Sequence, residues 1–377
     1  MHLSSIRISI LIFLLPTILW GQAQQEPTSK KEKVQAIRIQ KSIPASTRKK
    51  SDAMPESMKE EESRVTFKDA QMGQEMQSEI YWYNAYQTLR NSSLNNDGII
   101  DNKEQSEINS MIETSGKSIQ GTFSWNYMQL RNNRNNENAQ SYFINAVNLE
   151  PTNALLPAEA AWLAERNGNL ELRNKAIESI KNNGTISAFQ SVYTNWMLEV
   201  IPEGSLIVTN GEFDTYPIWE KQNTKKFYVV SLAMIQDAAW LNRTLQNWDK
   251  TIQFKGNSES NFIAALLKSN KPVFFSFTIR QELLTKYQSY LFPVGPLCRF
   301  SKTPANNYQE LKQFYVNKTR INYLNSLVWK NDKYAAIARN LIPGLIILEQ
   351  SSILNEAEKK DLIQLKKLIE NSNSSER

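Results

Sequence analysis

The chain of 377 residues contains one histidine, His2, and one cysteine, Cys298. His2 lies in an apolar leader, so nothing beyond that leader carries an imidazole. Ser-His-Asp and Cys-His catalysis are thereby excluded, and so are zinc sites built on imidazole, because no other side chain supplies that base or ligand near neutrality. A lone cysteine cannot staple the fold, and Cys298, set in an apolar strand, reads as inert packing rather than a nucleophile. Long apolar runs are scarce as well. Past the leader no segment approaches the roughly 20 apolar residues that span a bilayer. Carboxylate pairs, Lys, Tyr and oxygen-ligated metals remain as the available chemistry.

The leader combines Arg7, an apolar run from Ile8 to Trp20 broken by Ser9, Pro16 and Thr17, and the small residues Gly21 and Ala23. It reads as a signal peptide over 1–23, too short and poorly flanked for a spanning helix. The expectation is a periplasmic or otherwise exported chain, without a bacterial lipid anchor because no cysteine stands at the cleavage site. Residues 24–64 have few large apolar groups to offset the entropy of ordering, and are read as a disordered linker. Much of the excess behind the net charge of +6 lies there, in SKKEK at 29–33 and RKK at 48–50, before the acidic KEEE at 59–62. Such mixed charge suits a solvated segment better than a polyanion-binding arm, so nucleic acid is not an expected partner. The whole chain is 41% hydrophobic with nine Trp, enough for two domains with sizeable cores.

Residues 65–203 read as a helical domain. A helical pattern through Ile80, Tyr81, Tyr83 and Leu89 ends at a polar break, and another helix follows from Lys103. The break, SLNNDGIIDNKE at 93–104, resembles a single EF-hand or dockerin-like calcium loop. Asn95, Asp97, Asp101 and Glu104 occupy ligand places, Gly98 the sharp bend, and Ile99 the place that offers a backbone oxygen. Ser93 departs from the carboxylate usual in the first place, which lowers the expected affinity, so any calcium would be weak and structural. The alternative is a plain helix-to-helix turn. In AQSYFINAVNLEPTN, Ala139, Phe143, Ala146 and Pro151 resemble the second helix and exit of a tetratricopeptide repeat, where small residues admit a neighbouring helix. The next helix pair turns at Gly168-Asn169 but puts Arg173 where Ala is expected. A third stretch, 186–200, completes the layer.

Residues 204–303 read as a small α/β domain, with strands over 205–209, 227–233, 272–278 and 292–300 separated by helices. This alternation favours a mainly parallel sheet. The stretch SLIVTNGEFDTYPIWEKQ is central: a β-branched run, a turn at Asn210-Gly211, and a helix capped by Asp214 or Thr215 whose first turn takes Pro217. Ligands of open α/β sheets bind at strand carboxyl ends, which makes Asn210, Glu212 and Asp214 the candidate ligand residues, with Trp219 as a candidate sugar platform. Glu212 and Asp214 could serve as a glycosidase pair, or Asp214 could merely cap, and the aromatics Tyr216, Trp219, Trp240 and Trp248 fit helical core spacing too. Pro293 and Pro296 place the last strand at an edge. Residues 304–377 form further helices, 306–328, 332–351 and 355–371, the middle one kinked at Pro343-Gly344.

TNGEFDTYPIWEKQ, KFYVVSLAMIQDAAWLNRTL, KPVFFSFT and FPVGPLCRFSKTP, in this order, resemble the soluble periplasmic region of Bacteroidota membrane proteins related to O-mannosyltransferases. Glu212 stands where that family commonly has Asp. The resemblance implies the α/β fold. It does not bring transferase activity, since the membrane helices that would house that chemistry are missing. The fold expected is mainly α with a small α/β domain, a TPR-like helical layer plus a four-stranded, mainly parallel sheet flanked by helices. The function expected is a non-enzymatic cell-envelope scaffold that binds a protein partner through its helical layer, within an assembly such as one for secretion or motility. The alternative is a carbohydrate-binding or carbohydrate-active protein acting at 210–214, with a glycan as ligand.

Overall fold

The computed structural model describes residues 78–93, 100–222, 225–252, 254, 256, 258–303, 306–327 and 337–371. The leader and linker expectations lie outside these residues. The chain divides into two compact units with the boundary between Leu163 and Ala164. No helix among the described residues is long and apolar enough to cross a membrane.

The first unit is helical. Helices α1 (Glu79–Ser93), α2 (Asn102–Ile119) and α3 (Phe123–Asn132) pack mutually, burying Trp82, Tyr86, Leu89, Ile108, Ile112, Ile119 and Met128 in one cluster. These positions fall at helical spacing, three or four apart, which is why each helix offers one apolar stripe. Asp101 starts α2 by accepting from the amides of Lys103 and Glu104, both at 2.9 Å, and Thr122 starts α3 by accepting from Trp125 N. Helix α4 (Ala139–Leu149) packs on α3 in the most extensive helix contact of the described chain. Ala139 and Ala146 are fully buried, so the lack of side-chain bulk lets α4 approach closely. Helix α5 (Leu156–Asn167) carries Glu159, which is 0% exposed and receives Arg131 at 3.1 Å and Arg134 at 2.7 Å. Arg134 also lies over the Trp162 ring, 4.9 Å from its centroid.

The second unit contains α6 (Leu170–Asn182), α7 (Ala188–Glu199) and a five-stranded mixed sheet of order β2-β1-β3-β5-β4. Strands β1 (Leu206–Thr209), β2 (Tyr228–Ser231) and β3 (Val273–Ser276) are parallel, with Ile207 opposite both Val229 and Phe274. The crossovers run through α8 (Glu212–Lys221), then α9 (Ala238–Trp248) and α10 (Glu259–Lys268). After α11 (Gln281–Lys286) the sheet turns antiparallel. The four-stranded, mainly parallel sheet expected from sequence is corrected here: 292–300 is not one strand but a hairpin, β4 (Leu291–Pro293) and β5 (Leu297–Phe300). Gly295, at φ +110°, reverses the chain, and Val294 N donates to Leu297 O at 2.8 Å. Pro293 falls on β4, the outer strand, where a missing amide breaks no ladder.

Two helical expectations are also corrected. The span 306–328 breaks into α12 (Tyr308–Tyr315) and α13 (Lys318–Ser326), because Asn317 caps a new helix by accepting from Arg320 N at 3.1 Å. Pro343 does not kink a helix. It lies in the first turn of α14 (Ile342–Glu349), where its absent N–H would have lacked a partner anyway, and α15 (Glu356–Asn371) follows. Arg173 occupies a buried site in place of a small residue because its charge is matched: it pairs with Glu165 at 2.7 Å and faces the Trp219 ring at 5.4 Å.

Candidate functional site

Strand order puts β1 between β2 and β3, so the chain leaves β1 to one side and returns on the other. The crevice at the carboxyl ends of β1 and β3 is the place where such sheets take ligands. Here Asp214 occupies it. Gly211, not Asp214 or Thr215, is the N-cap of α8. Asp214 is the third helical residue and reaches back, accepting from Asn210 N at 3.1 Å and Gly211 N at 3.2 Å. Its second oxygen also accepts from the Thr278 hydroxyl, beyond β3. Thr278 is in turn bonded to Ser276 Oγ at 2.8 Å, and Thr209 meets Thr215 hydroxyl to hydroxyl at 2.7 Å. Asp214 is 8% exposed, and burial pushes its carboxyl above the usual range although hydrogen bonds from Thr278 and from the amides of Asn210, Gly211 and Asp214 itself pull the other way.

The loop is therefore built from its own polar groups. Asn210 O accepts from Ala233 N at 3.2 Å, joining the turn after β1 to the one after β2. Pro217, in the interior of α8, has no N–H to give Phe213 O, and Gln190 Nε2 donates to that carbonyl at 3.2 Å instead. Gln190 simultaneously accepts from Ser187 N at 2.9 Å, completing a capping box on α7. Tyr193, also on α7, donates to Pro296 O at 3.2 Å. Burial first, and then the charges of nearby Asp214 and Cys298, push the Tyr193 hydroxyl far above its ordinary range against the pull of a hydrogen bond with Asn340. Gln190 and Thr278 carried no motif signal. A proline six residues into a helix was the available hint that some side chain must serve Phe213 O.

Of the other candidates, Glu212 and Asn210 are half-buried at the loop surface. Glu212 and Asp214 stand at positions i and i+2 of one helix, which do not face each other, so the geometry does not converge them on one bond. Trp219 is 1% exposed between Tyr216 and Arg173, and neither face is open for a sugar. Trp240 and Trp248 are equally covered. Cys298 is buried and its thiol is pushed up by desolvation, as inert packing requires.

In the possible calcium loop, Asn95, Asp97 and Ile99 lie outside the described residues. Helix α1 ends at Ser93 and α2 begins at Asn102, the flanking arrangement that both a calcium loop and a simple turn demand. Asp101 Oδ1 is engaged as the N-cap, and Glu104 stands in the first turn of α2. Among the described residues no group of three or more His, Cys, Asp or Glu could hold a metal ion.

An open concavity lies in the helical unit instead, a groove of about 570 Å³ between α2 and α3. Its α2 wall carries Asn109, Glu113, Lys117 and Gln120, and its α3 wall Gln129, Asn132 and Asn133. Five of these are carboxamides. Gln105 Nε2 bridges Asn109 at 3.0 Å and Asn132 at 2.7 Å, and Asn132 Nδ2 donates to Asn109 at 2.7 Å, which fixes the amides at one end. Trp125 is the lining aromatic. Its Nε1 is buried without an acceptor among the described residues, and a side chain on Gly116 would begin 3.1 Å from it. No family model, curated protein or solved structure matches this chain.

Proposed function

We propose that this chain is an exported, non-catalytic envelope protein that binds a protein partner through its helical unit and uses the α/β unit as a rigid platform. One observation carries the reading. The carboxylate placed where an α/β enzyme would meet its substrate is spent on Asn210 N, Gly211 N and Thr278, whereas the groove of the helical unit presents Glu113, Lys117 and Gln120 exposed to solvent. The resemblance to the periplasmic region of O-mannosyltransferase-like proteins supports an envelope setting, and the apolar leader supports export. Calcium at 93–104 enters as a weak, structural ligand held by Asn95, Asp97, Asp101, Glu104 and the Ile99 carbonyl. Calorimetry with millimolar calcium tests it, and heat that survives Glu104→Ala would assign the ion elsewhere.

The functional test is native mass analysis of envelope extracts from the producing cells. A discrete complex of this chain with one reproducible protein, unaffected by Glu212→Gln, supports the scaffold. Hydrolysis or transfer on an envelope glycan by the purified chain, abolished in Glu212→Gln, would replace it with the carbohydrate reading at Asn210, Glu212 and Asp214.

A further inference from the structure

We propose that the helical unit binds a small monovalent anion of the chloride class between α1 and α3, held by the Tyr86 hydroxyl and the Arg90 guanidinium. This inference is independent of the scaffold reading. Tyr86 is 0% exposed, and its hydroxyl has no hydrogen-bond partner among the described residues. Arg90, one turn further along α1, is half-buried, and its Nε is closed to solvent without an acceptor. Among the described residues Arg90 forms no hydrogen bond and no ion pair. Buried polar groups are ordinarily satisfied, and an unpaired charge is the costliest exception, so two such donors on neighbouring turns call for a ligand.

Helix packing brings positive charge to these donors. Glu79 accepts from Ser124 N at 2.6 Å, and Tyr83 meets the Tyr127 ring with centroids 6.0 Å apart, so α1 and α3 run side by side in the same direction. The turns that follow carry Tyr86 and Arg90 on α1 and Arg131 on α3. Burial pushes the Tyr86 hydroxyl up to about 12, and Arg90 and then Arg131 exert the largest charge effects on it, both downward. Glu159 is the carboxylate whose charge also reaches Tyr86, and it already receives Arg131 and Arg134. The Tyr86 oxygen therefore sits in a field to which two guanidiniums contribute, with Arg90 lacking a carboxylate of its own.

A water suits these groups less well. It brings two hydrogens of its own to an O–H and an N–H that both need acceptors, whereas an anion brings acceptor capacity alone and the charge opposite to Arg90. Tyr86 has no exposed surface, so the occupant fits among side chains, which favours a monatomic ion over a phosphate or the carboxylate of a larger molecule. Arg90 stands in the last turn of α1, where the carbonyl end of the helix offsets part of its charge but leaves the Nε hydrogen unbonded.

The experiment melts the full exported chain in sodium gluconate of fixed ionic strength while chloride progressively replaces gluconate, and follows the chloride NMR linewidth in parallel. A saturable rise in melting temperature is expected, with excess linewidth that bromide competes away. Arg90→Gln should raise the chloride concentration for half-effect by about tenfold or more, and Tyr86→Phe by roughly threefold to tenfold, the worth of one hydrogen bond. Because the Tyr86 hydroxyl has no partner among the described residues, Tyr86→Phe should melt no lower than the parent in chloride-free gluconate. That comparison separates loss of the ion from loss of the fold. No chloride response in the parent overturns the proposal and leaves the donors to water. So does a response with the same midpoint in both variants, which is a general salt effect. A Tyr86→Phe chain destabilised equally in chloride and in gluconate also overturns it, since the hydroxyl would then serve the protein itself.

Discussion

Removing the Asp214 carboxyl tests whether this group holds the crevice shut or awaits a ligand. Asp214→Ala strands Asn210 N, Gly211 N and the Thr278 hydroxyl around a new void. Each buried unpaired group costs about 1–3 kcal/mol, but the carboxylate's own desolvation penalty is relieved, so a net loss of roughly 2–4 kcal/mol is expected. Asp214→Asn keeps the shape and the oxygen that serves Asn210 and Thr278, but turns an NH2 toward Gly211 N. Its loss should be about 1 kcal/mol at neutral pH, where relief from burying a charge offsets the missing bond. The pH dependence has a definite sign. Burial raises the folded-state pKa of Asp214, so between the unfolded value near 4 and the raised value the folded chain holds a proton that the unfolded chain has released. Its contribution is fully present below about pH 4 and is lost as pH rises through the folded value. The parent's advantage over Asp214→Asn must therefore shrink as pH increases. Urea titrations of both proteins across pH 3.5–8 measure this directly. An advantage that grows with pH would mean a depressed pKa and an ion-paired or ligand-holding carboxylate. An Asp214→Ala protein as stable as the parent would refute the structural role altogether.

Glu159→Gln leaves Arg131 and Arg134 buried without their counter-charge and should cost about 3–5 kcal/mol by chemical denaturation. A loss below about 1 kcal/mol would show that water reaches the triad. Gln190→Ala removes both the capping-box partner of Ser187 and the donor to Phe213 O, for roughly 1–3 kcal/mol, whereas restoring the α8 hydrogen bond with Pro217→Ala should reduce that penalty in the double variant. Additive effects of the two would disprove the link. Gly295→Ala forces a side chain onto φ +110° and to 2.9 Å from the Phe314 ring, and a fall of about 2–4 kcal/mol is expected in the same assay. An unchanged midpoint would show that the hairpin turn relaxes freely.

The parallel core of the sheet was legible because Leu206–Val208, Val229–Val230 and Val273–Phe275 are unbroken apolar runs, the mark of strands covered on both faces. The hairpin was not, because the same Pro293-Val-Gly-Pro296 that marks an edge also allows a reversal, and only the φ of Gly295 distinguishes them. Local patterning likewise showed Ala139 and Ala146 as close-packing positions and marked Arg173 as a departure, but its burial depends on Glu165 and the Trp219 face, which no local pattern reveals. The 210–214 loop was found from its position after β1. Its partner Thr278 lies 64 residues further on, and no spacing rule links the two. The groove left no motif because carboxamides on two helices are ordinary surface residues until the helices meet.

Access separates the two functional readings more sharply than residue identity does. Both sides of the crevice are bonded to α7, through Gln190 to Phe213 O and through Tyr193 to Pro296 O. A ligand at Asp214 would have to displace its bonds to Asn210 N, Gly211 N and Thr278. Binding energy spent on that opening is subtracted from affinity. At the α2–α3 groove the polar side chains already face solvent: Gln105, Asn109 and Asn132 are fixed by bonds to one another, and Gly116 makes room for the Trp125 indole. Polar groups already placed and open to solvent cost a ligand less to reach than a sealed carboxylate, and in this molecule they belong to the helical unit and not to the sheet whose topology first draws attention.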